Sequence, residues 1–230
     1  MNAIITGGGR GIGRGIAEVL AREGFAVGLI GRKLASLEET RDAIVAAGGR
    51  CEVRACDVRD AAGTEAAVSG LAAALGGLDA LVNNAGIVIR KDIFGLSLEE
   101  WREMLETNVS GVFHAVRAAL PHLKARGGGH IVNVSSVSGR LPLAGGSAYA
   151  ATKHAVTGLS ESLFLELRYL GIRVTTIYPA SVNTESHAEG GDAGWKLQPE
   201  DIGRACHAVL TARADACINQ VEVRPLRPPR

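Results

Sequence analysis

The sequence has 230 residues, and its 25 Lys+Arg against 24 Asp+Glu leave a formal charge of +1, without the basic excess that marks nucleic-acid or membrane-surface binders. With 47% hydrophobic and 21% charged residues the composition is globular, which excludes a disordered chain, and the length suits one α/β domain spanning 1–230. The 30 glycines are about twice average usage and call for many tight turns, while no uncharged apolar run reaches the length of a membrane span.

Short β-branched runs alternate with longer amphipathic stretches, the pattern of βαβ units in a doubly wound parallel sheet with helices on both faces. The first strand is predicted over 3–6, so close to the amino terminus that no leader fits before it, and a cytoplasmic protein is expected. It runs into Thr6-Gly7-Gly8-Gly9-Arg10-Gly11-Ile12-Gly13, which opens a helix over 11–23. Glycines here let a pyrophosphate approach the backbone, and the helix N-terminus offers it unpaired N–H groups. The spacing is not the strict G-x-G-x-x-G, so a plain tight connection is the alternative.

The second strand, 26–30, ends at Ile30-Gly31-Arg32-Lys33, without the acid that an NAD site places on the ribose 2'-hydroxyl. Arg32 and Arg10 are positioned to meet a 2'-phosphate instead, against the alternative that both are solvated surface charges. A helix over 34–47 and a strand over 50–55 lead to Asp57-Val58, either a contact for an adenine ring or, for Asp57, a cap on the helix predicted over 60–75. The strand over 80–83 closes in Asn83-Asn84-Ala85-Gly86. A helical stretch over 97–126, with a break, contains Asn108 and stops at Gly127-Gly128-Gly129.

The strand over 130–135 ends at Ser136, and a helix over 149–170 begins with Tyr149-Ala150-Ala151-Thr152-Lys153. Strand carboxyl ends are where open α/β sheets bind ligands, and a spacing of four puts the phenol and the ammonium on one helix face. A positive charge about 4 Å from a tyrosine is worth roughly three pKa units, which would bring the phenol from about 10 toward neutrality. A strand over 173–178, Pro179 to Thr184, a substrate loop over 180–198, a helix over 199–213, a strand over 221–224 and an exposed tail over 225–230 complete the chain. The loop tip, Glu189-Gly190-Gly191-Asp192-Ala193-Gly194, is polar, and His187 within it faces solvent or substrate. Trp101, Trp195, Tyr169 and the phenylalanines are read as packing, with Trp195 alternatively capping the pocket. Neither the four cysteines nor the six histidines show metal-ligand spacing, so reduced thiols and no metal site are expected.

Taken together and in this order, TGGGRGIG at 6–13, DV at 57–58, NNAG at 83–86, Asn108, VSS at 134–136, YAATK at 149–153 and the P-x-x-V-x-T run of 179–184 resemble the short-chain dehydrogenase/reductase family over essentially the whole chain. The resemblance implies a Rossmann-type fold, a small-molecule carbonyl or alcohol substrate and a catalytic tetrad of Asn108, Ser136, Tyr149 and Lys153. Tyr149 would exchange the proton, Ser136 would bind the substrate oxygen, Lys153 would lower the phenol pKa and hold the nicotinamide ribose, and Asn108 would hold a relay water. The cofactor would lie against Gly7, Gly9, Arg10, Gly11, Ile12, Gly13, Arg32, Asp57, Val58, Asn84, Ala85, Gly86, Tyr149, Lys153, Pro179, Val182 and Thr184, with NADP(H) preferred over NAD(H). Members similar to this chain include 3-oxoacyl-[acyl-carrier-protein] reductases, which makes a 3-oxoacyl thioester one candidate substrate, and a homotetramer or homodimer is implied. Ala180 departs from the glycine common after that proline. The rival reading is a cofactor-binding regulator of the same fold, which would not need Ser136, Tyr149 and Lys153 together.

Overall fold

The computed structural model describes residues 1–184, 194–213 and 215–228. The predicted loop tip from Glu189 to Ala193 and His187 lie outside these. Seven strands form one parallel sheet: β1 (Asn2–Thr6), β2 (Ala26–Gly31), β3 (Arg50–Ala55), β4 (Ala80–Asn83), β5 (Gly129–Val134), β6 (Ile172–Pro179) and β7 (Gln220–Val223). Their order, β3-β2-β1-β4-β5-β6-β7, reverses direction between β1 and β4. That reversal opens the crevice in which doubly wound sheets bind ligands.

The strands separate two cores. Ile5, Val27 and Val132 face α1 (Gly11–Arg22), α2 (Leu34–Ala46) and α7 (Pro199–Leu210), joining Ile16, Leu20, Ile44 and Ile202. Ile4, Leu81 and Ile131 face α3 (Ala61–Leu75), α5 (Gly111–Ala125) and α6 (Ser147–Leu167), joining Leu71, Val116 and Leu163. Adjacent residues on opposite faces, as at Ile4 and Ile5, follow from the two-residue period of a strand buried on both sides.

The break predicted within 97–126 is a π-helical turn, Glu106–Ser110, between α4 (Leu98–Leu105) and α5. A capping box starts α4: Ser97 Oγ accepts from Glu100 N at 3.1 Å, and Glu100 Oε2 accepts from Ser97 N at 3.0 Å. The polar loop after β6 enters and leaves through one small ladder. Val182 pairs with Leu197, Asn183 N donates to Leu197 O at 2.8 Å, and Leu197 N donates to Ser181 O at 3.0 Å.

The aromatic residues split. Phe25 is buried, but Phe94 (96% exposed) and Tyr169 (83%) project into solvent, because neither faces the sheet, and the packing expected of them is absent. Trp195 is half-buried under the Lys196 ammonium, 6.0 Å from its ring centroid. All four cysteines are free thiols, and burial pushes Cys51 and Cys206 up to about 12. Leu226 is 90% exposed, so the tail is solvated as far as it is described. No helix among the described residues is long and apolar enough to cross a membrane.

Candidate active site

Thr6 clasps the two strands that diverge at the crevice. Its Oγ1 accepts from the Asn84 and Ala85 amides, each at 3.1 Å, while Asn84 Nδ2 donates to Thr6 O and Gly7 O at 3.1 and 3.3 Å. Beyond it the chain turns through left-handed Gly7 (φ +69) and Gly11 (φ +51), conformations that a side chain disfavours. A Cβ on Gly13 would stand 2.1 Å from Gly7 O, and one on Gly9 would press on Ser36 at 3.1 Å. Thr184 lies over this turn, its Cγ2 3.4 Å from where a Gly11 Cβ would be.

The residue before α1, Arg10, makes no side-chain cap, and the first turn holds no acid, so those N–H groups face outward without a resident carboxylate. Ile12 and Val182 pack into the core and Pro179 is buried at the end of β6, so these three shape the cradle from behind.

At the far end, Arg10 and Arg32 are exposed and neither guanidinium is engaged by a side chain among the described residues. Asp57 grips Arg59 at 2.7 Å, and that hydrogen bond holds its carboxyl below the usual range, with the charge of Arg32 adding to the effect. The cap on α3 is Asp60, whose Oδ1 accepts from Gly63 N at 3.0 Å, so the capping alternative for Asp57 is set aside. Val58 is buried against Gly111, where a Cβ would come within 2.6 Å of Val58 Cγ2.

Ser136, Tyr149 and Lys153 meet at the carboxyl end of β5. Ser136 caps the short turn Val137–Gly139, its Oγ accepting from Ser138 N at 3.1 Å. Ser135 turns the other way, donating to Lys153 O at 3.1 Å. Tyr149 is half-buried, and desolvation pushes its phenol up from the ordinary value, opposed by Ser136 and by the positive charge of Arg90.

Lys153 Nζ donates to Val134 O at 2.9 Å and stands 5.8 Å from the Tyr149 ring centroid, with burial bringing its own pKa down to about 8. The groups that oppose the desolvation of the phenol are Ser136 and Arg90. Lys153 is itself desolvated, and its ammonium is turned toward the strand carbonyl. Two of its three hydrogens have no partner among the described residues, which is costly for a buried cation.

Asn108 sits in the π turn with both amide hydrogens committed, to Ile87 O at 2.9 Å and Thr152 Oγ1 at 3.1 Å, while its Oδ1 accepts from Ile87 N at 2.8 Å. A water at Asn108 is therefore left the second lone pair of Oδ1 or the backbone carbonyl. Gly86 leaves room for this arrangement, since a Cβ there would stand 3.2 Å from Asn108 Oδ1. Thr152, overlooked in the sequence, donates to Tyr149 O at 2.8 Å and so ties Asn108 to the first turn of α6. Its signal was a hydroxyl inside YAATK, on the helix face turned to the sheet. Arg90, whose charge bears on the phenol, was not singled out in the sequence, because it lies in a loop without periodicity.

These features fit a nicotinamide dinucleotide: a left-handed glycine turn without room for Cβ atoms, an uncapped helix end, two unengaged guanidiniums, and a buried ammonium with donors to spare. The profile of the family described as "short chain dehydrogenase" matches residues 1–193.

The chain belongs to this family.

An uncharacterised oxidoreductase of Staphylococcus epidermidis is 33% identical over 226 residues, covering 97% of this chain and 96% of the relative. Among solved structures, the alcohol dehydrogenase of the archaeon Thermococcus sibiricus, complexed with 5-hydroxy-NADP, superposes with a TM-score of 0.91 at 29% identity, covering 100% of this chain and 99% of that one. A metagenomic short-chain oxidoreductase in complex with NADP gives 0.87 at 34% identity, covering 99% and 98%. This short-chain dehydrogenase is accordingly an oxidoreductase of the CH–OH group.

Proposed function

We propose that the enzyme interconverts a carbonyl and a secondary alcohol with NADP(H) in preference to NAD(H), using Ser136, Tyr149 and Lys153 with Asn108 as their brace. The observation that carries this reading is the buried Lys153 ammonium with two uncommitted hydrogens beside Tyr149 and Ser136. A regulator that only bound the cofactor could use Lys153 on the ribose, but would gain nothing from setting Tyr149 and Ser136 beside it.

When bound, the cofactor supplies or accepts hydride at the substrate carbon. Tyr149 Oη gives a proton to the substrate oxygen in reduction and takes one in oxidation. Ser136 Oγ, already an acceptor from Ser138 N, keeps its own hydrogen for that same oxygen. Lys153 would spend its free hydrogens on the ribose hydroxyls. Those bonds favour the charged ammonium, whose field works against the desolvation that holds the phenol up. Thr184, over the glycine turn, would reach the cofactor amide or phosphate side. Asp57 and Val58 would border the adenine, with Asn84, Ala85 and Gly86 beneath the ribose.

For the 2'-phosphate, Arg32 and Arg10 are unengaged and Gly31 offers no acid to a 2'-hydroxyl. The two structural relatives bound to an NADP form support the same preference. Substrates to test include 3-oxoacyl thioesters, sugars, steroids and small diketones. Following NADPH oxidation across that panel decides the matter: turnover lost in Tyr149→Phe supports the reading, and tight NADPH binding with no turnover of any carbonyl favours the regulator.

We also propose a cytoplasmic homotetramer or homodimer, built on α5 and α6, where Phe113 (47%), Leu165 (60%) and Tyr169 (83%), just beyond α6, stand exposed. Light scattering at micromolar concentration tests the assembly, and a monomer would refute it.

A further inference from the structure

The segment that leaves β3 is fastened from two sides. Cys56 N donates to Gly31 O at 2.9 Å, which sets the start of the segment beside the end of β2. Asp57 is then spent locally: its carboxylate holds the guanidinium and the amide of Arg59, and its carbonyl accepts from Asp60 N at 2.9 Å. Val58 is fastened by α5 instead. Its side chain, 5% exposed, fills the space left at Gly111, where a Cβ would come within 2.6 Å of Val58 Cγ2. One helical turn on, His114 Nδ1 stands 2.9 Å from Val58 O. A carbonyl only accepts, so Nδ1 carries the hydrogen. Val58 N, by contrast, has no hydrogen-bond partner among the described residues, although the residue is buried. A buried amide without an acceptor costs stability until something supplies one. Asn108 lies three residues before Gly111, in the π turn that runs into α5, so one stretch of helix both holds Val58 and meets Thr152.

We propose that His114 is a positioning residue for the adenine end of the cofactor, holding the Val58 backbone so that its unpaired N–H is ready for an acceptor on the ring. A side chain in a socket still lets its own backbone turn, and a hydrogen bond to the carbonyl removes that freedom. Without it the segment would be ordered only as the cofactor binds, at a cost in affinity and not in rate. The inference rests on the reading above that Asp57 and Val58 border the adenine.

Adenosine 2',5'-bisphosphate carries only the adenine end of NADPH, and reduced nicotinamide mononucleotide only the reacting end, so the two probes locate the effect. His114→Leu, which has no donor, is expected to weaken calorimetric binding of the bisphosphate and of NADPH at least about fivefold, the worth of one neutral hydrogen bond, with the mononucleotide changed by less than about twofold. In steady state, with any carbonyl the enzyme turns over, the same variant should raise the KM for NADPH by that factor and leave kcat within about twofold. His114→Asn, whose amide can donate from the position of Nδ1, should restore binding. Gly111→Ala, which displaces Val58 from the other side, should repeat the selective loss. Unchanged bisphosphate binding in His114→Leu, an equal loss on the mononucleotide, or a loss in His114→Asn as large as in His114→Leu overturns the proposal. Asp57→Ala separates it from the cofactor reading. Weakened bisphosphate binding there but not in His114→Leu overturns the role of His114 alone, while no loss in either means that the adenine lies elsewhere and overturns both.

Discussion

The two ends of the crevice are built from different materials. The proposed cofactor cradle from Gly7 to Gly13 is backbone: its specification is a shape, and side chains are mostly excluded, as the 2.1 Å approach of a Gly13 Cβ to Gly7 O shows. The proposed reacting end is side chain: with Ser136 beside them, Tyr149 and Lys153 are shifted by burial, which moves the phenol up and the ammonium down to about 8. Shape tolerates no added atom, whereas the reacting groups tolerate isosteric change with the fold intact. The first end should therefore fail by losing affinity, and the second by losing rate.

The largest break in that contrast is expected from Tyr149→Phe, which should lower turnover at least about 100-fold with cofactor affinity nearly unchanged. Fluorescence titration with NADPH alongside steady-state assay separates the two effects, and comparable turnover by the variant would remove Tyr149 from the proton transfer. At the other end, Arg32→Ala should erase much of a preference for NADPH over NADH of roughly 100-fold, the sum of two charge-assisted bonds of about 1.5 kcal/mol each, leaving about 10-fold or less. Adding Gly31→Asp should reverse the preference, although Leu37 Cδ2, 3.2 Å from the new Cβ, must give way. Equal binding of both cofactors by the wild type would make Arg10 and Arg32 plain surface charges.

Lys153→Met sharpens the comparison from the side of stability. The shift from 10.5 to about 8 means that the folded state resists the charge. The penalty is full below pH 8 and fades toward 10.5, so at pH 7 it amounts to about 3 kcal/mol. Less about 1 kcal/mol for the lost bond to Val134 O, the methionine variant should be about 2 kcal/mol more stable than wild type, and inactive. Chemical denaturation at pH 7 measures it, and a less stable variant would mean the ammonium is not desolvated.

A group remote from the crevice gives a smaller effect. His130, at the opposite end of β5, is buried with no partner for Nδ1 among the described residues and Nε2 2.7 Å from Thr175 Oγ1, and burial takes its pKa from 6.5 down to about 3. The unfolded chain takes up a proton below pH 6.5 that the folded one refuses. Stability is thus complete above 6.5 and falls toward 3, by about 1.4 kcal/mol at pH 5.5. Thermal midpoints of wild type and His130→Gln across pH 5 to 8 should converge on acidification.

Strand and helix positions were legible because their signals are local. β3 and β4 coincide with the strands predicted over 50–55 and 80–83, and α2 and α3 with the helical stretches that follow Arg32 and Asp60. The glycine turn was legible for the same reason, since shape demands glycine at each step. The reacting end was legible only as residue types in order. Neither the desolvation of Lys153 nor the two hydrogen bonds that commit the Asn108 amide can be read from spacing, because both depend on what β5 and the loop after β4 bring from elsewhere. Phe94 and Tyr169 show the same limit in reverse: an aromatic residue has no local mark for which face it will take.

The small ladder at Ser181, Asn183 and Leu197 has a consequence for how this enzyme could change its repertoire. Because one pair of neighbouring backbone hydrogen bonds ties Ser181 and Asn183 to Leu197 just beyond the sheet, these residues are fixed sockets for whatever stretch joins them. Doubling its length should cost only about 0.6 kcal/mol in closure entropy. If this stretch is the substrate loop proposed from the sequence, segments grafted between the sockets should change which substrates are taken while Tyr149, Lys153 and the sheet that carries them stay untouched.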